Sequence, residues 1–250
     1  MKYIKAFFMA LGMFSAIPAP RRSWDDRYSA LVIPFLPLVG GLIGGIWFAL
    51  AYLLGLWNPP ELLHAALLVF VPFLLSGFLH VDGFMDTADA VLSRRDLAER
   101  RRILKDSNVG AFAVIALVCL MLLQLAGAHA VVAGEKSLFA LIFIPVMSRC
   151  AAGLALLRLR QMYETGYMAT FKAGTGPAHT VCIVLFAAMA LAGAHLLGGL
   201  SALTASLAAL AAAGVTTAWV YRQLDGLNGD LCGCIITVGE LGGLLCLALI

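Results

Sequence analysis

The chain has 250 residues, of which 62% are hydrophobic and only 12% charged, with a mean hydropathy of +0.95. Soluble domains are about 45–50% apolar and ~25% charged, so composition excludes a water-soluble globular domain and points to an integral membrane protein. A formal net charge of +3 gives no reason to expect a nucleic-acid partner, and where the charges fall says more than their sum.

The opening MKYIKAFFMALGMFSAIPAP has the outline of a signal peptide, with Lys2 and Lys5, an apolar stretch and then small residues. Its apolar stretch is about a dozen residues, short of the ~20 needed to cross a bilayer. A retained amphipathic helix at the interface is expected instead. Apolar runs follow at 29–56, 61–80, 109–131, 137–157, 178–197, 200–221 and 231–249. The breaks carry turn residues: Asn58-Pro59-Pro60, Gly134-Glu135-Lys136, Gly174 to Pro177 and Gly198-Gly199. The Ala-rich 178–221 region reads either as two helices or as a re-entrant pair. The prediction is an all-α polytopic membrane helix bundle with about seven transmembrane helices and an interfacial N-terminal helix, one domain over residues 1–250.

Gly40, Gly41, Gly44 and Gly45 make two overlapping GxxxG patterns in the first crossing, a signal for close helix packing. The six cysteines lie in or beside apolar segments without zinc-like spacing, and read as small packing residues. Lys and Arg in short loops set orientation. With residues 21–28 in the cytoplasm, Arg21, Arg22, Arg27, the Arg94–Lys105 cluster, Arg158, Arg160, Lys172 and Arg222 all fall inside. Only Lys136 falls outside, apart from Arg149 within a crossing.

The charge concentrates in HVDGFMDTADAVLSRRDLAERRRILKDSNVGAF, residues 80–112. If the second crossing continues as a helix through residue 92, Asp86 lies about 40° and Asp89 about −20° from Asp82 at ~100° per residue. Three carboxylates on one face stay ionised together only if a cation sits among them, or else their pKa values rise, and hard oxygen donors at this density suit Mg²⁺. The alternative is a solvated helix end, but acids at a membrane boundary among small residues favour chemistry. The following arginines suit an anionic lipid surface. Lys105 and the amides up to Gly110 open the next helix, where an anion is readily held.

His80-Val-Asp82-Gly83-Phe-Met-Asp86-Thr-Ala-Asp89 with Lys105-Asp106-Ser107-x-x-Gly110 resembles the central motif of the cobalamin synthase family, the adenosylcobinamide-GDP ribazoletransferases. The likeness extends over Ile17-Pro18-x-Pro20, Pro37 to Gly40, Ser148-Arg149, Glu164-x-Gly166, Gly226-x-Asn228-Gly229-Asp230-x-x-Gly233 and Gly239-Glu240. Asp225 and Asn228 depart from a closing motif that more often reads Gly-Gly-x-Thr-Gly-Asp, and Tyr163 stands where an Arg commonly precedes the Glu-x-Gly element.

The resemblance implies a transferase at a bacterial inner membrane, its active site facing the cytoplasm. Its substrates would be adenosylcobinamide-GDP and α-ribazole or the ribazole phosphate, and its cofactor Mg²⁺. Asp82, Asp86 and Asp89 would hold the metal, with Asp106 a further candidate ligand, and Lys105 would neutralise phosphate. A carboxylate or His80 would accept the nucleophile's proton, and Asn228 and Asp230 would bind substrate, although an N-cap is the other reading there. Arg149 is open between binding phosphate and pairing with Glu240. His64, His129, His179 and His195 read as structural. Membrane lipid is an expected partner, and self-association is left open. The competing readings are a CDP-alcohol phosphatidyltransferase-like enzyme and a cation-coupled carrier.

Overall fold

The computed structural model describes residues 1–20, 24–134 and 136–250; Arg21, Arg22 and Glu135, named above for their loops, lie outside them. α1 (Lys2–Phe14) buries Ala6, Met9, Ala10, Leu11 and Phe14 and leaves Tyr3 and Ile4 exposed, the one-sided burial expected of the amphipathic start. Two short 3₁₀ turns, Asp26–Leu31 and Ile33–Phe35, lead into α2 (Leu36–Trp57). Then come α3 (Glu61–Leu75), α4 (Leu79–Leu92), α5 (Leu97–Ile103), α6 (Ala111–Ala133), α7 (Ala140–Arg158), α8 (Tyr167–Lys172), α9 (Pro177–Leu224) and α10 (Gly229–Leu249).

Among the described residues, five helices are long and apolar enough to cross a membrane, and the bent pair α3–α4 would make a sixth span. α9 contains 48 residues, with a non-helical backbone at Gly199 (φ 66°, ψ −156°). Its two halves are antiparallel. Gly153 and Phe143 of α7 lie against Ile183 and Gly193 of the first half, while Gly239 of α10 lies against Ala213 of the second and against Ser148 of α7. The Ala-rich region therefore forms two helices hinged at Gly199.

The second crossing differs from expectation. A helix through residue 92 is interrupted at Ser76–Phe78, where Gly77 and Phe78 both take left-handed backbone (φ 63° and 61°) and the chain bends by 91°. Pro72 lies in the last turn of α3, and the Leu75 carbonyl accepts the Ala16 N–H at 2.8 Å instead of continuing a helical ladder. α4 starts anew at Leu79 and runs unbroken to Leu92, so its aspartates still share a face.

The GxxxG patterns are resolved by contact. A Cβ on Gly40 would sit 2.5 Å from the Pro145 carbonyl oxygen, and one on Gly44 would overlap that of Ile142, whereas a Cβ on Gly45 would meet no neighbouring helix within 4 Å. Gly40 and Gly44 are thus the seam with α7. Gly44→Ala is expected to lower stability by about 1–3 kcal/mol through overpacking, and Gly45→Ala to be neutral or slightly stabilising. Thermal unfolding in detergent checks this, and equal effects at both positions would contradict the seam.

Candidate active site

α4 and α10 meet with almost no side chain between them. A Cβ on Gly83 would lie 2.6 Å from the Asp230 carbonyl oxygen, and one on Gly233 2.9 Å from that of His80. Asn228 caps α10, its Oδ1 accepting the Leu231 N–H at 3.0 Å, and its Nδ2 donates to Asp230 Oδ2 at 2.6 Å. The N-cap role therefore belongs to Asn228, which leaves Asp230 in the first turn facing α4.

Asp86 consequently feels the charge of three carboxylates, Asp82, Asp230 and Asp89. Asp82 is exposed, and Asp86, Asp89 and Asp230 are partly buried. Asp89 Oδ1 also faces the first turn of α6, with the Ala113 N–H at 3.4 Å, and fills the space a side chain at Gly110 would need. The anion at the start of α6 is thus Asp89 itself.

Two further residues of the predicted set lie in the turn between α5 and α6. Asp106 is exposed and holds the Asn108 backbone and side-chain N–H groups at 3.0 and 2.7 Å. These bonds keep its carboxyl below the usual carboxylate range. Lys105 lies in the same turn rather than at a helix start, its Nζ 4.2 Å from the Tyr163 ring centroid. Tyr163 is within electrostatic reach of Arg101 and Asp230, so Lys105 stands at the rim of the acidic group.

Several arginines expected at the lipid surface bind the protein. Arg101 donates to the carbonyls of Leu224 and Asp225, and Arg100 to the Gln223 carbonyl and side chain. Cations thus meet the negative C-terminal end of α9. Arg160 pairs with Asp225 at 2.5 Å, and this bond above all holds the Asp225 carboxyl below its ordinary range.

Arg149 is fully enclosed at 0% exposure. Its Nη1 meets Glu240 Oε1 at 2.5 Å and the Pro145 carbonyl at 3.1 Å, and its Nη2 lies 3.4 Å from His80 Nδ1. Of the two readings open in the sequence, the geometry is that of the ion pair, and an enclosed guanidinium offers no surface to a phosphate. A guanidinium donates and never accepts, so this contact favours the tautomer with the ring proton on Nε2. That atom is buried without a protein partner, on a side chain that lines a cavity of about 160 Å³ together with Asp82, Asp230, Met168 and Tyr167. With its proton on Nε2, His80 can donate toward that cavity.

The sequence matches a known group of proteins. A family model described as cobalamin-5-phosphate synthase matches residues 6–248. The chain belongs to this family. A relative named adenosylcobinamide-GDP ribazoletransferase from Clostridium perfringens (strain 13 / Type A) is 39% identical over 249 residues, covering 99% of each chain. Relatives of the same name from Clostridium botulinum (strain Alaska E43 / Type E3) and Geobacillus kaustophilus (strain HTA426) are each 32% identical, covering 96% and 94% of this chain and 95% and 91% of their own. No solved structure matches. Membership of the family makes the chain a transferase of cobalamin biosynthesis, which sets aside the phosphatidyltransferase and carrier readings.

The family's implied Mg²⁺ can be tested against the donors present. Among the described residues no three acidic, histidine or cysteine side chains converge on one point as they stand. The carboxylates around Asp86 nevertheless have the right chemistry: hard oxygen donors that repel one another. Mg²⁺ is usually held through one or two carboxylates and keeps several waters, and an open set of this kind meets that demand.

Sequence reasoning missed the approach of Asp230 to Asp86, for which the only sequence signal was glycine at both Gly83 and Gly233. Glu240→Ala is expected to cost about 3–5 kcal/mol by leaving Arg149 charged and unpaired. The apolar double variant Arg149→Met with Glu240→Leu should recover much of that loss in thermal unfolding.

Proposed function

We propose that the chain joins adenosylcobinamide-GDP to α-ribazole, or to α-ribazole phosphate, at the cytoplasmic face of a bacterial inner membrane. A ribazole hydroxyl oxygen bonds to the cobinamide-proximal phosphorus, the bond from that phosphorus to the bridging oxygen breaks, and GMP departs with the bond's electron pair. The observation that carries this reading is the close approach of α10 to α4, which puts Asp82 and Asp230 in the wall of one cavity. Asp82, Asp86 and Asp89 would hold Mg²⁺, with Asp230 beside them, and the ion would neutralise phosphate oxygens.

Phosphoryl transfer demands positioning and charge neutralisation more than covalent participation by the protein. His80 keeps its proton at Nε2 and offers it as a hydrogen bond. The hydroxyl's proton passes to the cavity-facing carboxylate outside the Mg²⁺ ligand set, Asp230. Lys105 at the rim attracts the diphosphate. The cytoplasmic orientation draws support from the positive residues of one end, Arg94 to Lys105, Arg158, Arg160, Lys172 and Arg222.

Purified protein with Mg²⁺ and both substrates is expected to release GMP, and chelation by EDTA to stop the release. Asp86→Asn should lower the rate about a hundredfold or more, the scale seen when a group stabilising transition-state charge is removed. Full activity in a folded Asp86→Asn protein would withdraw the metal assignment. His80→Gln, whose amide can donate from a similar position, should retain far more activity than His80→Ala. Equal loss in both variants would restore His80 as a base.

A further inference from the structure

A second cavity of about 470 Å³ adjoins the carboxylate cavity, and Met13 and Tyr167 belong to the walls of both. Its volume lies in the ~300–1,000 Å³ range of small-molecule sites. Trp24 and Tyr167 stand edge to face in its wall, centroids 6.0 Å apart at 80°. Both rings contact Phe171, at 5.9 and 6.2 Å, and Phe171 is itself wholly buried. A rigid aromatic base therefore sets two rings whose faces and edges suit a flat π-system. Met9 and Met13 add polarizable thioether surface to the same wall.

Two sequence motifs that the carboxylate chemistry leaves unused converge here. Ile17-Pro18-x-Pro20 ends with Pro20 in the wall of this cavity. Glu164-x-Gly166 ends at Gly166, whose φ of +102° turns the chain so that Tyr167 becomes the first residue of α8. Aromatic side chains at a bilayer boundary also serve as anchors. Anchoring, however, requires no cleft, least of all one that shares Met13 and Tyr167 with the cavity of Asp82 and Asp230.

We propose that this cavity seats the flat, fused-ring aromatic base of ribazole against Trp24 and Tyr167, with the ribose end reaching past Met13 toward Asp82 and Asp230. The assignment rests on the transferase reading above, and it holds alike for the free nucleoside and its phosphate, since both carry the same base.

The test uses full-length protein in detergent, with GMP release followed while each substrate is varied. Trp24→Ala and Tyr167→Ala should each raise the KM for α-ribazole about tenfold, the scale of losing one base–aromatic stack. The KM for adenosylcobinamide-GDP should stay unchanged, and Trp24→Phe should behave nearly as the parent. Independently of activity, α-ribazole alone should quench tryptophan fluorescence in the parent and less in Trp24→Phe, where Trp47, Trp57 and Trp219 remain as the background. An unchanged ribazole KM in both alanine variants, with only thermal stability lost, would show an interfacial anchor and overturn the proposal. So would a ribazole KM that rises instead in Phe73→Ala, in the apolar cavity on another side of Asp82. Absence of GMP release from the parent would sink the transferase reading, whereas the quenching experiment would still decide the pocket.

Discussion

The backbone contact between α4 and α10 is the constraint on which the working end of this molecule depends. Two helices ordinarily pack 8–10 Å apart, with the distance set by the side chains at the contact. At Gly83 and Gly233 there are none, and each glycine rests on the partner helix's main chain. This approach brings Asp230 beside the acidic face of α4, so that carboxylates from two helices, Asp82 and Asp230, line one cavity. A side chain at either glycine would separate the helices and leave Asp230 as no more than a residue in the first turn of α10.

Charge placed inside an apolar bundle imposes a second demand. Arg149 satisfies it through Glu240 and the Pro145 carbonyl, and its remaining donor reaches His80. The triad links α7, α10 and α4 just below the carboxylates. Its structural effect, holding three helices together, and its chemical effect, favouring the proton on His80 Nε2, come from the same guanidinium. A lysine would carry the charge but lacks the planar fork that reaches two acceptors in fixed directions.

Much of this was legible in the sequence because membrane helices announce themselves by composition. The apolar runs map onto α2, α3, α6, α7, the two halves of α9, and α10. The shared face of Asp82, Asp86 and Asp89 followed from helical periodicity and survived the break before Leu79, since α4 itself is continuous. What periodicity does not encode is where one helix meets another. The 91° bend depends on left-handed backbone at Gly77 and Phe78, and nothing in an apolar run distinguishes Phe78 from its neighbours. Arg100 and Arg101 looked like lipid anchors because the α9 carbonyls they bind are more than 120 positions away in sequence.

The departures from the family's closing motif also acquire a physical account. Asp225 occupies a left-handed position (φ 52°) at the end of α9, where glycine would be unstrained and a non-glycine residue costs about 1–2 kcal/mol. Its carboxylate meets Arg160 and, at 3.7 Å, Arg101, and its carbonyl accepts from both. The strain is thereby offset by a clamp that ties the α5 region and the segment after α7 to the short link between α9 and α10. Asn228, in place of threonine, is at least as good an N-cap and in addition steadies Asp230. Both substitutions act on the same few residues that carry α10 to its contact with α4. Backbone strain at this turn is thus met by side-chain bonds, and the same few residues hold Asp230 in place.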